Sequence, residues 1–200
     1  IHPINTKFYK KKTNKIIKKN INYGFVGRPD FDKGFNYLIN IFKKNKINNS
    51  TFTALLPPKK FWKDKNKILN FKNHKSINIF IKKFNKIHVL NFYKKIDVLI
   101  SPSIETNNYM EQDGQVVLEA LSCENIAISS NTGFFKDIRT TRAFFKINKI
   151  NFDNIYNKAL YISKNLDKIN NYRYENRLLI KKKFSLEVVN NKKIDILGKI

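Results

Sequence analysis

The chain has 200 residues, 42% of them hydrophobic, which is enough for one ordinary domain with a real core. Its 40 lysines and arginines against 15 acidic residues give a net charge of +25 and point first to nucleic acid, yet only five of the 40 are arginines and the lysines are scattered. Base-reading interfaces want arginine forks, so the charge reads mostly as a compositional drift toward Lys, Asn and Ile.

In chain order, residues 1–20 form a basic, polar lead-in. Residues 21–28, INYGFVGR, read as a strand entering a turn. A helix is then predicted from Asp32-Lys33-Gly34, with Phe35, Leu38, Ile39 and Phe42 at i, i+3, i+4 and i+7 as its core face. Residues 50–58 are a strand ended by Pro57-Pro58, and 61–71 a helix with Trp62 on its buried side. Strand 77–81 and helix 87–96 follow, then the apolar run Val98-Leu99-Ile100, closed by Ser101-Pro102-Ser103. After a polar loop, Gly114 to Leu121 read as the first turns of a helix, and Ile126-Ala127-Ile128 as a strand ending in Ser-Ser-Asn-Thr-Gly. Residues 151–190 read as two helices, the first with Ile155, Ala159, Ile162 and Leu166 on one face. Strands alternating with helices predict an α/β fold, a Rossmann-like parallel sheet with helices on both faces. Its expected parts are the lead-in 1–20, a ligand-binding domain over 21–150 and C-terminal helices over 151–200.

In such folds ligands gather at the carboxyl ends of the strands. Two carboxylates stand there, Glu111 and Glu119, with seven residues between them. On one continuous helix that spacing would leave them roughly 80° apart, so Glu111 is expected in the loop and Glu119 two turns inside the helix. Two readings stay open: solvated glutamates near a helix start, or ligands for hydroxyl groups beside an anion held at the helix N-terminus.

The stretch EQDGQVVLEALSC, with Pro102-Ser103 before it, resembles the Glu-seven-Glu signature of retaining glycosyltransferases of the GT-B fold, glycosyltransferase family four. Glu111, Gly114, Glu119, Ala120 and Cys123 fall in register with that signature. Phe25-Val26-Gly27-Arg28 followed by Lys33-Gly34 is similar to the same family's Val-Gly-Arg…Lys-Gly element. IHPINTKFYK resembles its interdomain segment, HVLNFYKKIDVLISPS the stretch leading into Pro-Ser, and KKFSLEVV its closing segment.

The resemblance implies the C-terminal half of a GT-B fold that transfers a hexose from a UDP- or GDP-sugar to a glycan or lipid-linked acceptor. It implies that Gly27, Arg28, Lys33, Glu111, Gly114, Gln115, Val116 and Glu119 bind the donor, with Arg28, Lys33 and Glu111 taking part in catalysis. Arg28 and Lys33 would grip the diphosphate, Glu119 the ribose and Glu111 the sugar; Phe80, Ile81 and Lys82 would border the base. No metal or other cofactor is expected. Asp30-Phe31-Asp32 repeats an Asp-x-Asp spacing that holds metal in the other glycosyltransferase fold, but Asp32 is read here as a helix cap.

The match departs from the family at Glu124, where it has Gly, and at Ile126, where it has Pro; the later glycine-containing strand has no clear counterpart. A helix C-terminus favours glycine because its last residue turns left-handed, so Glu124 is expected to carry a cost of about 1 kcal/mol. If the lead-in is that interdomain segment, this sequence is expected to start at the hinge, with the N-terminal acceptor domain missing from it.

A single cysteine, Cys123, excludes a disulfide framework, and His2, His74 and His88 show no ligand spacing. No apolar run approaches the ~18 residues of a membrane helix and no signal peptide is recognised, so a cytoplasmic setting is expected, with peripheral contact to an anionic membrane surface. The alternatives are a non-catalytic nucleotide-sugar-binding module and a basic nucleic-acid-binding protein; no specific nucleic acid partner is expected.

Overall fold

The computed structural model describes residues 2–10, 20–44, 47–62 and 74–197. Six strands form one fully parallel sheet: β1 (Ile21–Val26), β2 (Ser50–Leu56), β3 (Ile77–Ile81), β4 (Val98–Ser101), β5 (Ile126–Ser130) and β6 (Phe144–Ile147). Their order is β3-β2-β1-β4-β5-β6, the doubly wound order in which the chain reverses direction between β1 and β4. The expected α/β architecture is thus the one observed.

The strands are short apolar runs because both faces of the sheet are covered. In β4, Val98 and Ile100 join one core and Leu99 the other; in β5, Ile126 and Ile128 join the first and Ala127 the second. On the first face lie α1 (Phe35–Lys43) and α4 (Phe152–Lys164). Phe35, Leu38, Ile39 and Phe42 are all buried there, and so are Ile155, Ala159, Ile162 and Leu166, as their periodicity predicted. On the second face lie α2 (Lys86–Lys95), α3 (Gln115–Ser122) and α6 (Arg173–Lys183).

Three predicted elements differ from those found. Residues 151–190 hold not two helices but α4, α5 (Leu166–Asn170), α6 and the start of α7 (Leu186–Leu197). The breaks on either side of α5 fall at asparagines, whose side chains compete for backbone partners: the Asn165 side chain donates to the Tyr161 carbonyl at 2.9 Å. An edge strand absent from the expectations is present as β6, four residues paired in parallel with β5. Helix 61–71 falls mostly outside the described residues; its first part is a 3-10 turn over Lys59–Phe61, and Trp62 is buried with its indole N–H donating to the Pro57 carbonyl at 2.8 Å.

Glu124 follows α3 with φ 61, the left-handed conformation expected of a glycine position. Its carbonyl accepts from Arg173 Nε at 2.6 Å, tying the α3–β5 turn to α6.

The lead-in is docked rather than loose over residues 2–10. Ile4 bridges Ser185 in parallel, and Tyr9 is buried. The Arg177 guanidinium donates to the carbonyls of Thr6 (2.9 Å), Tyr9 (2.9 Å) and Ser122 (2.6 Å), clamping the segment to α3 and α6. Arg177→Met keeps the stem and removes three charge-assisted bonds. It is expected to lower unfolding stability by about 2 kcal/mol in urea titration, and to speed amide exchange over residues 4–9.

Candidate functional site

The carboxyl ends of β1 and β4 meet where the sheet reverses, and the two loops that leave them are bound to each other. After β1 the backbone passes Gly27 (φ 149) and makes a 3-10 turn over Phe31–Lys33 that ends at Gly34 (φ 65). The Ile104 N–H from the loop after β4 donates to the Asp32 carbonyl at 2.8 Å. A Cβ on Gly34 would lie 2.2 Å from the Pro102 carbonyl oxygen, so only glycine lets the turn lie against the second loop. Asp32 does not cap α1 as expected: the N-cap is Gly34, with no side-chain capping bond, because the 3-10 turn intervenes and buries Asp32 within it.

This contact brings Lys33 to Glu111. The ammonium donates to Glu111 Oε2 at 3.1 Å and to the Tyr109 hydroxyl, and it lies 4.6 Å from the centre of the Tyr109 ring. Glu111 Oε2 also accepts from Tyr109 (2.7 Å) and Ser103 Oγ (2.8 Å). Burial alone would raise the Glu111 carboxyl, but Lys33 and the two hydroxyls outweigh it and hold the pKa below the ordinary value. Burial alone would lower Lys33; Glu111 and Tyr109 outweigh that too and hold the ammonium charged.

Glu119 sits two turns into α3 and is only 5% exposed. It accepts from Tyr93 (3.0 Å) and from Gln115 Nε2 (3.1 Å), with Tyr9 of the lead-in as a further hydrogen-bond partner. Here burial wins, and the carboxyl is pushed above its ordinary value. The two glutamates therefore have opposite electrostatic settings, one held ionised and one biased toward its neutral form.

Between them stands the N-terminus of α3. Its N-cap, Gly114, is left-handed (φ 56) and makes no side-chain cap, leaving the first amides of the helix without one. A Cβ there would strike the rings of Phe134 and Phe135 at 2.7 and 2.5 Å, so this glycine serves packing behind the helix start. A pocket of about 410 Å³ is lined by Lys33, Tyr109, Glu111, Gln115 and Val116 among others. A second, of about 310 Å³, is lined by Tyr9, Val26, Phe84, Asn85, Lys86, Val89, Gln115, Val116 and Glu119. Gln115 and Val116 belong to both, so the two pockets adjoin across the helix start.

The structure thus gathers Lys33, Glu111, Gly114, Gln115, Val116 and Glu119. Gly27 lies at the end of β1, and a Cβ there would meet only the Phe25 ring, at 3.4 Å. Arg28 is turned to Asp30, Nε to Oδ2 at 3.3 Å, and lines neither pocket. Phe80 and Lys82, expected at the base, line a separate hollow of about 160 Å³ with His88 and Lys95; the Glu119 pocket is bordered instead by Phe84, Asn85 and Lys86. Residue-by-residue reading gave no site role to Tyr9, Ser103 or Tyr109: Ser103 and Tyr109 bind Glu111 from within its own loop, and Tyr9 reaches Glu119 only through the tertiary fold. Among the described residues no group of three or more His, Cys, Asp or Glu side chains is placed to hold a metal ion. No described helix is long and apolar enough to cross a membrane.

A family model described as glycosyl transferases group 1 matches residues 6–177. The chain belongs to that family. No curated protein matches the sequence significantly. Among solved structures, the C-terminal domain of a glycosyl transferase group 1 family protein, LpcC from Francisella tularensis, superposes with TM-score 0.71 at 14% identity, over 92% of this chain and 99% of that one. Sucrose-phosphate synthase from Thermosynechococcus elongatus gives TM-score 0.79 at 14% identity, over 99% of this chain and 51% of that one. Anabaena HepE, in complex with UDP and glucose, gives 0.79 at 14%, over 99% and 56%. This chain therefore has the fold of a group 1 GT-B C-terminal domain and spans about half the length of the latter two proteins.

Two outcomes test the geometry. Gly34→Ala is expected to cost about 3 kcal/mol in thermal denaturation, from the left-handed backbone and the clash with Pro102 together. The glutamates are expected to differ in sign. The depressed pKa of Glu111 contributes stability above the ordinary carboxylate range that is lost as pH falls through its folded value, so the Glu111→Gln variant loses less stability than the parent between about pH 5 and pH 3. The raised pKa of Glu119 favours the neutral form, so Glu119→Gln removes a loss of stability that the parent suffers as pH rises through that group's folded pKa. Melting temperatures across a pH series check both.

Proposed function

We propose that this chain is the donor-binding half of a glycosyltransferase that moves a hexose from a UDP- or GDP-sugar to a glycan or lipid-linked acceptor, with retention at the anomeric carbon and without metal. The observation that supports this most directly is the meeting of Lys33 with Glu111 at the switch point of the sheet, beside a helix start shared with the Glu119 pocket. A nucleoside diphosphate sugar presents an anion flanked by two sets of hydroxyls, and the site presents cationic and amide groups flanked by two carboxylates.

In this reading the diphosphate lies across the N-terminus of α3, where uncapped amides and the positive end of the helix dipole favour it. Lys33 turns from Glu111 to the phosphates, and Arg28 turns from Asp30. Glu119 accepts the ribose hydroxyls and Glu111 those of the sugar. The base lies toward Phe84, Asn85 and Lys86. As the bond from the anomeric carbon to the phosphate oxygen breaks, negative charge grows on the diphosphate; Arg28, Lys33 and the helix start stabilise it in place of a metal. The donor phosphate takes the proton of the acceptor hydroxyl, so no protein nucleophile is assigned.

A second reading, a nucleotide-sugar-binding module with no turnover of its own, is favoured by Arg28, which is turned to Asp30 and lines neither pocket. Turnover after supplying the upstream half in trans separates the two readings.

Calorimetry with UDP- and GDP-sugars in the presence of a chelator is expected to detect binding. Arg28→Ala and Glu119→Ala are each expected to weaken it at least tenfold, in line with the roughly 1.5–3 kcal/mol of a charged hydrogen bond. Equal binding by parent and variants overturns the assignments.

A further inference from the structure

The loop between β4 and α3 carries a side chain that the reading above does not use. Thr106 and Tyr109 exchange both backbone bonds, Thr106 N–H to Tyr109 O at 2.8 Å and Tyr109 N–H to Thr106 O at 3.2 Å, closing a tight turn over the exposed Asn107 and Asn108. The turn sets Tyr109 at the edge of the pocket beside Lys33, and its hydroxyl both receives a bond from Lys33 and donates to Glu111.

Three donors, from Ser103, Tyr109 and Lys33, converge on one oxygen of Glu111, Oε2. Oε1 takes none of these bonds, and the residue lines the open pocket. The backbone behind it is held as well, the Glu111 carbonyl accepting from the Phe134 N–H at 2.9 Å. When a diphosphate draws Lys33 away, only the Ser103 and Tyr109 hydroxyls remain to fix the carboxylate.

We propose that Tyr109 is the positioning residue for Glu111: its hydroxyl bridges Lys33 and Glu111 as the structure stands, and after Lys33 leaves for the diphosphate it keeps Oε2 bound so that Oε1 faces a hydroxyl of the transferred sugar. Tyr109 thereby governs recognition of the sugar and not of the nucleotide. Ser103 alone leaves the carboxylate free to rotate about one bond, whereas two donors from different directions fix its plane. The inference rests on the donor-site reading of the preceding section.

The test compares Tyr109→Phe with the parent chain by calorimetry, using UDP, UDP-glucose, GDP and GDP-mannose as probes. The ring and its packing stay; only the hydroxyl goes. For whichever nucleotide and nucleotide sugar the parent binds, the ratio of the nucleotide-sugar Kd to the nucleotide Kd is expected to rise about tenfold in the variant. A merely structural role would move both constants together and leave the ratio unchanged, and that result overturns the inference while the donor site stands. A parent that binds none of the four overturns the donor-site reading, and this inference with it.

Discussion

The Asp32 carbonyl and the Ile104 N–H join the loop after β1 to the loop after β4 across the point where the sheet reverses direction. The meeting of Lys33 with Glu111 depends on that seam. Gly34 makes it possible by presenting no side chain to the Pro102 carbonyl. With the seam closed, Lys33 arrives at Glu111 although 77 residues of chain lie between them. A parallel doubly wound sheet opens its crevice at this place because the crossovers on either side go to opposite faces and leave nothing above the strand ends.

The seam also sets the electrostatics. Glu111 is partly buried, yet it is surrounded by a cation and two hydroxyl donors, so it stays a carboxylate. Glu119 is buried among neutral donors, and desolvation prevails over their hydrogen bonds and the charge of Lys86. The same residue type thus meets two environments within one site, and the difference comes from which loops reach each of them. Lys33 is paired with Glu111, which makes this corner of the pocket locally neutral in a chain of net charge +25. That local balance explains why a strongly basic composition does not by itself define the site.

The second link runs to the lead-in. Tyr9 contributes both to the Glu119 pocket and to the Arg177 clamp, through its ring and its carbonyl respectively. The segment that precedes β1 is therefore part of the pocket wall, and any force on it reaches the helix that carries Glu119. Ser122, at the end of that helix, donates to the same Tyr9 carbonyl at 2.6 Å. The lead-in and α3 are one packed unit.

Much of this was legible in the residues alone. Apolar runs bounded by Pro, Gly and Ser marked β1, β2, β4 and β5, because a strand buried on both faces must be apolar along most of its length. The spacing of Phe35, Leu38, Ile39 and Phe42 marked the buried face of α1, and Gly114 the start of α3. These are local properties, written in periods of two and 3.6 residues and in the backbone freedom of glycine. Less local features were not legible. The edge strand β6 is four residues long and gains its identity only from pairing with β5. The asparagines at 165 and 170–171 outweighed an apolar period that otherwise continued. Tyr109 and Ser103 share the β4–α3 loop with Glu111, but Lys33, and for Glu119 the tyrosines Tyr93 and Tyr9, come from distant segments whose meeting depends on strand order. Strand order is a property of the whole sheet, because it follows from which crossover packs on which face. The sequence by itself determined the elements and the residue types of the site. The tertiary structure decided which of them touch, and so which glutamate's pKa is lowered and which is raised.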